Sequence, residues 1–303
     1  MAEESLADTV DDLPVWPVGA GLARGPLDVD LAGLTDPGKV RPINEDHFHI
    51  LQFGRYLRTL ISSLPVGDAQ EEIDRLGYGF VIADGIGGRA GGELASRLAI
   101  SLLVECALQT PDWIFTWDDS YLAKVMDRFA KRYQAVNHAI IAHAQGRPGL
   151  KGMGTTLSLA ATLGDNLLVT HIGDSRVYLF RKGRLHRLTR DHTATKLVAD
   201  PDRSDVVRFR RILTHAIGHA ETGGEPDLYH YKLADGDRLL LCTDGLTDMV
   251  DDDAIARELG KAESAANACR TLVDLALEQG GRDNITVVAA TYHFPPSAEA
   301  GSG

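Results

Sequence analysis

Four short segments of the chain place carboxylates beside apolar runs: Asn44-Glu45-Asp46, Ala83-Asp84-Gly85, Thr243-Asp244-Gly245 and Arg282-Asp283-Asn284. Three of the aspartates adjoin stretches with the composition of buried strands, Phe80-Val81-Ile82-Ala83, Leu239-Leu240-Leu241-Cys242 and Ile285-Thr286-Val287-Val288. Carboxylates gathered at neighbouring strand ends repel and raise one another's pKa unless a cation neutralises them. Oxygen donors without clustered His or Cys suit a hard ion, Mg²⁺ or Mn²⁺, rather than zinc. Asp84 is the candidate bridging ligand, because it closes a buried strand and the glycine after it turns the chain sharply. The same turn exposes the Gly85 carbonyl as a further ligand. Arg41, placed four residues before Glu45, offers a fork of donors suited to a phosphate.

Elements able to carry these residues are legible around them. Strand-like stretches span 28–34 and 46–53, and Phe80–Ala83 forms another. Leu94, Leu98, Leu102 and Cys106 recur every four residues, predicting a helix over 92–108 with that face buried. A second helix is predicted over 120–145 from Leu122, Val125, Phe129, Tyr133, Val136 and Ile140. Strands at 156–162, 166–172 and 176–181 follow, and Lys182-Gly183 turns the chain into 185–188. After a strand at 237–243, helices at 252–258 and 264–278 precede the last strand, 284–292. Residues 54–76 read as an insertion, helical in parts, and 190–225 as polar without clean periodicity. Residues 1–27 read as an acidic, flexible extension, 28–294 as one domain, and 295–303 as a disordered tail.

Composition narrows the function classes. A formal charge of −12 over 303 residues argues against a nucleic-acid or anionic-membrane binder, and 44% apolar residues is enough for a substantial core. Cys106, Cys242 and Cys269 are widely spaced and odd in number, so they read as core residues of a reducing compartment. No apolar run reaches the length of a spanning helix, and the acidic start lacks the pattern of a signal peptide. The expectation is a cytoplasmic monomer.

In residues and order, the chain resembles the bacterial branch of the metal-dependent type 2C serine/threonine protein phosphatases. The resemblance rests on Asp36-x-Gly38-x-x-Arg41-x-x-Asn44-Glu45-Asp46, Asp84-Gly85-Ile86-Gly87-Gly88 with Gly92-Glu93, Gly154-Thr155-Thr156, Gly173-Asp174-Ser175-Arg176, Thr243-Asp244-Gly245-x-x-Asp248 and Asp283-Asn284-Ile285-Thr286. It runs from about Leu31 to Tyr292. It implies an α+β fold: a four-layer α-β-β-α sandwich of two antiparallel sheets flanked by helices, with the active site at one end.

The implied activity is hydrolysis of phosphoserine and phosphothreonine in phosphorylated protein substrates, by attack of a hydroxide bridging two Mn²⁺ or Mg²⁺ ions. The implied partner is a bacterial Ser/Thr kinase whose work the enzyme reverses. A catalytically silent phosphoprotein-binding scaffold and a regulatory phosphatase for an anti-sigma-factor antagonist are the alternatives. By resemblance Asp244 and Asp283 hold one ion, Glu45 and Asp46 hold the other directly or through water, and Asp174 with Asp248 stand where a weaker third ion binds. Residues 190–225 match the family's mobile flap, where Arg203, Arg208, Arg210 and Arg211 face acidic substrates. Ile86 stands where many eukaryotic relatives carry a histidine proposed as general acid, so the resemblance implies that the leaving group takes its proton from a metal-bound water or another residue, and the sequence does not rank His49, His192 and His215 for that role.

Overall fold

The computed structural model describes residues 27–58, 72–87, 90–109, 119–194, 212–219, 223 and 225–295. The acidic extension up to residue 26, the centre of the 54–76 segment, the four flap arginines and the tail beyond Pro295 lie outside the described residues.

Two antiparallel sheets form the middle of the molecule. One contains β1 (Asp28–Asp36), β11 (Ile285–His293), β10 (Arg238–Cys242), β7 (Arg176–Arg181) and β8 (Arg184–Arg187), in that order. The other contains β2 (Asp46–Arg58), β3 (Glu72–Ile86), β5 (Leu157–Leu163), β6 (Asn166–Ile172) and β9 (Asp227–Lys232), with β4 (Gly154–Thr155) on the end of β3. Alternation along the strands sends successive side chains to opposite faces and so builds three apolar layers. Between the sheets lie Phe80, Ile82, Val169, Leu239, Leu241 and Val288. The odd-numbered partners on β3, Val81 and Ala83, pack instead against α1 (Ala90–Gln109) and α2 (Asp119–Ala144). On the other side Leu240, Cys242, Ile285 and Val287 pack with α3 (Asp244–Thr247), α4 (Asp252–Lys261) and α5 (Ala265–Glu278). The result is the expected layering of helices, sheet, sheet and helices.

Two expectations are corrected. The fully buried face of α1 is Ala95, Ser96, Ala99 and Leu103, whereas Leu94, Leu98 and Leu102 are only partly buried and Cys106 is intermediate. Small residues let the helix axis approach β3 closely, and the leucines flank the contact. At its two described ends the 54–76 segment is strand, not helix: the β2–β3 ladder continues in register from Gly54↔Leu76 to Arg58↔Glu72. An antiparallel ladder already in register gains a backbone pairing with each added residue, which outweighs weak local helix propensity.

Candidate active site

One end of the sandwich holds a cleft of about 400 Å³ whose wall includes Arg41, Glu45, Asp84, Asp174, Asp244 and Asp283. Gly85 and Asp248 line it too. Residues from 41 to 283 meet there because β2, β3, β10 and β11 all end or begin at this edge. Asp46 is not part of the wall: it is 3% exposed and stands directly across the β2–β3 ladder from Asp84. Like charges directly opposite in an antiparallel pair are unfavourable.

The electrostatics follow from that crowding. Burial, foremost, and then the charges of Asp46 and Asp244 hold the Asp84 carboxyl well above the usual carboxylate range. Burial likewise pushes Asp46 up to about 7 against the pull of its Thr243 hydrogen bond, and it raises Asp174 and Glu45. The arginine of the cleft wall, Arg41, is half exposed and donates from Nη2 to Asp283 Oδ2 at 2.6 Å. That bond raises its own pKa further. Arg176 instead forks onto Asp191, with bonds of 3.2 and 2.9 Å from Nε and Nη2, so Asp174 is not the partner of its near neighbour in sequence.

Hydroxyls and one amide lock the carboxylates in place. Thr243 Oγ1 donates to Asp46 Oδ2 at 2.8 Å and accepts from the Thr286 N–H at 3.0 Å, tying the second sheet's aspartate to β10 and β11 of the first. Asn284 accepts from the Glu45 N–H at 2.9 Å, while its Nδ2 donates to the carbonyls of Pro37 and Ile43, both at 2.9 Å. The β1–β2 loop that carries Arg41 is thereby pinned to β11. Thr156 Oγ1 accepts from the Asp84 N–H at 2.9 Å. Gly85 needs to be glycine, because a Cβ there would strike the backbone oxygens of Gly92 and Glu45.

The donor set fits a hard divalent cation. Every candidate ligand atom is an oxygen, and two of them, Glu45 Oε1 and Asp46 Oδ1, are buried without a hydrogen-bond partner. Buried acceptors of this kind cost free energy unless something electropositive meets them. Among the described residues no three His, Cys, Asp or Glu side chains form a closed ligand set, so the fit rests on donor chemistry and on these orphaned oxygens.

Sequence reasoning missed three contributors. Thr243 and Asn284 stand inside recognised motifs, but their work depends on long-range pairing that no local pattern displays. His219 also lines the cleft, whereas His49 lines a separate apolar cavity and His192 pairs with Asp227 at 3.3 Å, its ring lying between those of His171 and His215 without stacking on either.

Comparison with known proteins agrees with this geometry. The family model described as protein phosphatase 2C matches residues 60–278. The serine/threonine protein phosphatase PstP of Mycobacterium tuberculosis is 38% identical over 214 residues, a match covering 69% of this chain but only 39% of that protein. Protein phosphatase PhpP of Streptococcus pneumoniae is 31% identical over 271 residues, covering 88% of this chain and 98% of that one. The crystal structure of the PstP catalytic domain in complex with two manganese ions superposes with a TM-score of 0.67 at 33% identity, covering 88% of this chain and all of that one. Fold, cleft and comparison converge, and the chain belongs to the protein phosphatase 2C family.

Proposed function

We propose that this protein is a Mn²⁺- or Mg²⁺-dependent phosphatase of phosphoserine and phosphothreonine in proteins, opposing a Ser/Thr kinase. The observation that carries the reading is the carboxylate-lined cleft, with its mutually repelling aspartates, an arginine beside them, and the orphaned oxygens of Glu45 in its wall and Asp46 behind it. Asp84 and the Gly85 carbonyl would hold metal, Asp244 and Asp283 would hold one ion, and Glu45 and Asp46 the other, directly or through water. Asp174 and Asp248 would take a weaker third ion. When bound, the ion pair supplies Lewis acidity and, at neutral pH, the hydroxide that attacks phosphorus. Arg41 binds the phosphoryl oxygens as a fork, held in reach by the loop that Asn284 pins. The Thr243 hydroxyl fixes Asp46 so that Oδ1 stays available.

Hydrolysis of a phosphothreonine peptide, followed by phosphate release with Mn²⁺, with Mg²⁺ and with excess EDTA, tests the reading. Turnover is expected with either ion and is expected to vanish in EDTA. Turnover that persists in EDTA, or none with any divalent ion, would exclude it.

A further inference from the structure

Hydrolysis of a serine or threonine phosphate has a step that the carboxylates cannot serve. As the P–O ester bond breaks, its electron pair moves to the side-chain oxygen of the substrate. An alkoxide is a poor leaving group, so a proton must reach that oxygen in the transition state. Carboxylates that hold cations carry no proton, and Arg41 is permanently charged and engaged with Asp283. Thr156 is tied to the Asp84 N–H and to Ser175 Oγ at 2.8 Å. Among the described residues of the cleft wall, one imidazole remains, that of His219.

Its surroundings differ from those of the histidines whose rings the fold ties down. His47 bonds Ser96, His171 bonds Ser158 and two carbonyls, His215 bonds Thr214, and His230 bonds Asn166. The Nε2 of His219 is buried and has no hydrogen-bond partner. A buried ring nitrogen left without a structural partner calls for an explanation, and a ligand group that supplies the missing bond is one. The ring lies against Gly154, where an added Cβ would fall 2.7 Å from both Cδ2 and Nε2. Gly154 is the ladder partner of Ile86, and Thr155 that of Gly85, so the imidazole flanks the Asp84-Gly85-Ile86 turn.

The backbone under the ring is fixed. Thr155 and Ile217 exchange two hydrogen bonds of 2.9 Å, Gly218 N–H donates to Asn137 Oδ1 of α2 at 2.7 Å, and Gly223 N–H donates to the His219 carbonyl at 2.6 Å. Nothing comparable holds the imidazole itself.

We propose that His219 is the proton donor to the leaving serine or threonine oxygen. Building on the phosphatase reading, the imidazolium gives its N–H proton to the oxygen that departs from phosphorus. The alcohol leaves neutral, the imidazole is left neutral, and water returns its proton before the next turnover. The oxygen newly bonded to phosphorus comes from water and leaves in inorganic phosphate.

The test compares two substrates on the wild-type protein, His219→Ala and His219→Gln with Mn²⁺ present. A phosphoserine peptide needs a protonated leaving group, whereas p-nitrophenyl phosphate releases a phenolate that is stable without one. For both variants kcat on the peptide is expected to fall about 10²- to 10³-fold, with KM nearly constant. The loss on the aryl phosphate is expected to be far smaller, which also reports that the variants fold and bind metal. Equal losses on both substrates would make His219 a structural residue and overturn the proposal. A change confined to the peptide KM, or no change at all, would overturn it as well. Wild-type protein inactive on both substrates would instead remove the phosphatase reading, and the proposal with it.

Discussion

Strand β10 carries an aspartate beside each of its ends, and the two meet opposite surroundings. At its start Asp237, only 1% exposed, receives a fork from Arg181, with Nε and Nη2 donating at 2.8 and 2.6 Å, and its Oδ2 also accepts from the Ala234 N–H at 2.7 Å. At its end Asp244 enters a cleft lined also by Asp84, Asp174 and Asp283, with Asp46 buried directly behind Asp84 and its Oδ1 lacking a hydrogen-bond partner. The protein thus neutralises one buried carboxylate internally and leaves another group poised for a charge from outside. Internal neutralisation stabilises the fold without any ligand; the crowded end costs stability until a cation arrives.

Substitution at each end should therefore have opposite consequences. Asp84→Asn is expected to reduce kcat at least about a thousandfold, or about 4 kcal/mol in barrier. Its melting temperature in EDTA should equal or exceed that of wild type, since one repelling charge is gone. A variant retaining more than about a tenth of wild-type kcat would remove Asp84 from the site. In EDTA the sign of the pH dependence follows from Asp46. Its folded pKa of about 7 lies above its ordinary 3.8, so between those values the folded chain binds more protons than the unfolded one. The apo protein should gain stability as pH falls from 7 toward 4, and a melting temperature that instead drops over that window would contradict the crowding argument.

Asp237→Ala leaves Arg181, only 15% exposed, without its carboxylate and with the Lys232 carbonyl as its remaining acceptor. Chemical denaturation should register a loss of about 3 kcal/mol. Metal dependence should remain that of wild type, because the pair lies at the other end of the strand. A stability loss under about 0.5 kcal/mol would place this pair among those worth little.

Thr243 joins the two regimes, since it supplies the hydrogen bond to Asp46 in the crowded end. Thr243→Val keeps the shape but removes both that donor and the acceptor for Thr286 N–H. Calorimetry should find Mn²⁺ affinity weakened about 10- to 100-fold, the usual consequence of losing a group that orients a ligand. Thr243→Ser should restore it. Unchanged affinity in the valine variant would reduce Thr243 to a strand-end packing residue.

The sequence carries some of this and hides the rest, for physical reasons. A carboxylate at the end of an apolar run is a local pattern, so Asp84, Asp244 and Asp283 stand out in the sequence alone. The runs Phe80–Ala83 and Leu239–Cys242 mark buried strands, but being apolar at every position they do not show that Phe80, Ile82, Leu239 and Leu241 face the opposite sheet. Which face of α1 is buried is harder, because alanine approach to a sheet competes with a leucine stripe of equal period. The Thr243 to Asp46 bond spans 197 positions and exists only because one sheet packs on the other. His219 lies in a stretch with no periodicity, and its place follows from one bridge between Ile217 and Thr155.

The smallest expected effect concerns Asp174, which shares the cleft without sharing a strand end with Asp84. Its carboxyl is raised first by burial and then by Asp244, and Arg176 beside it is occupied by Asp191. With Asp248 it would hold an ion through few protein ligands and several waters, so occupancy should need high metal concentration. Activity should rise in two phases as Mn²⁺ is added, first as the paired site fills and again in roughly the millimolar range of weak sites. Asp174→Ala should abolish the second phase while calorimetry still detects the tighter binding. A single phase in wild type, or an alanine variant with normal turnover at every metal concentration, would make Asp174 a member of the crowded end that carries charge but holds no ion.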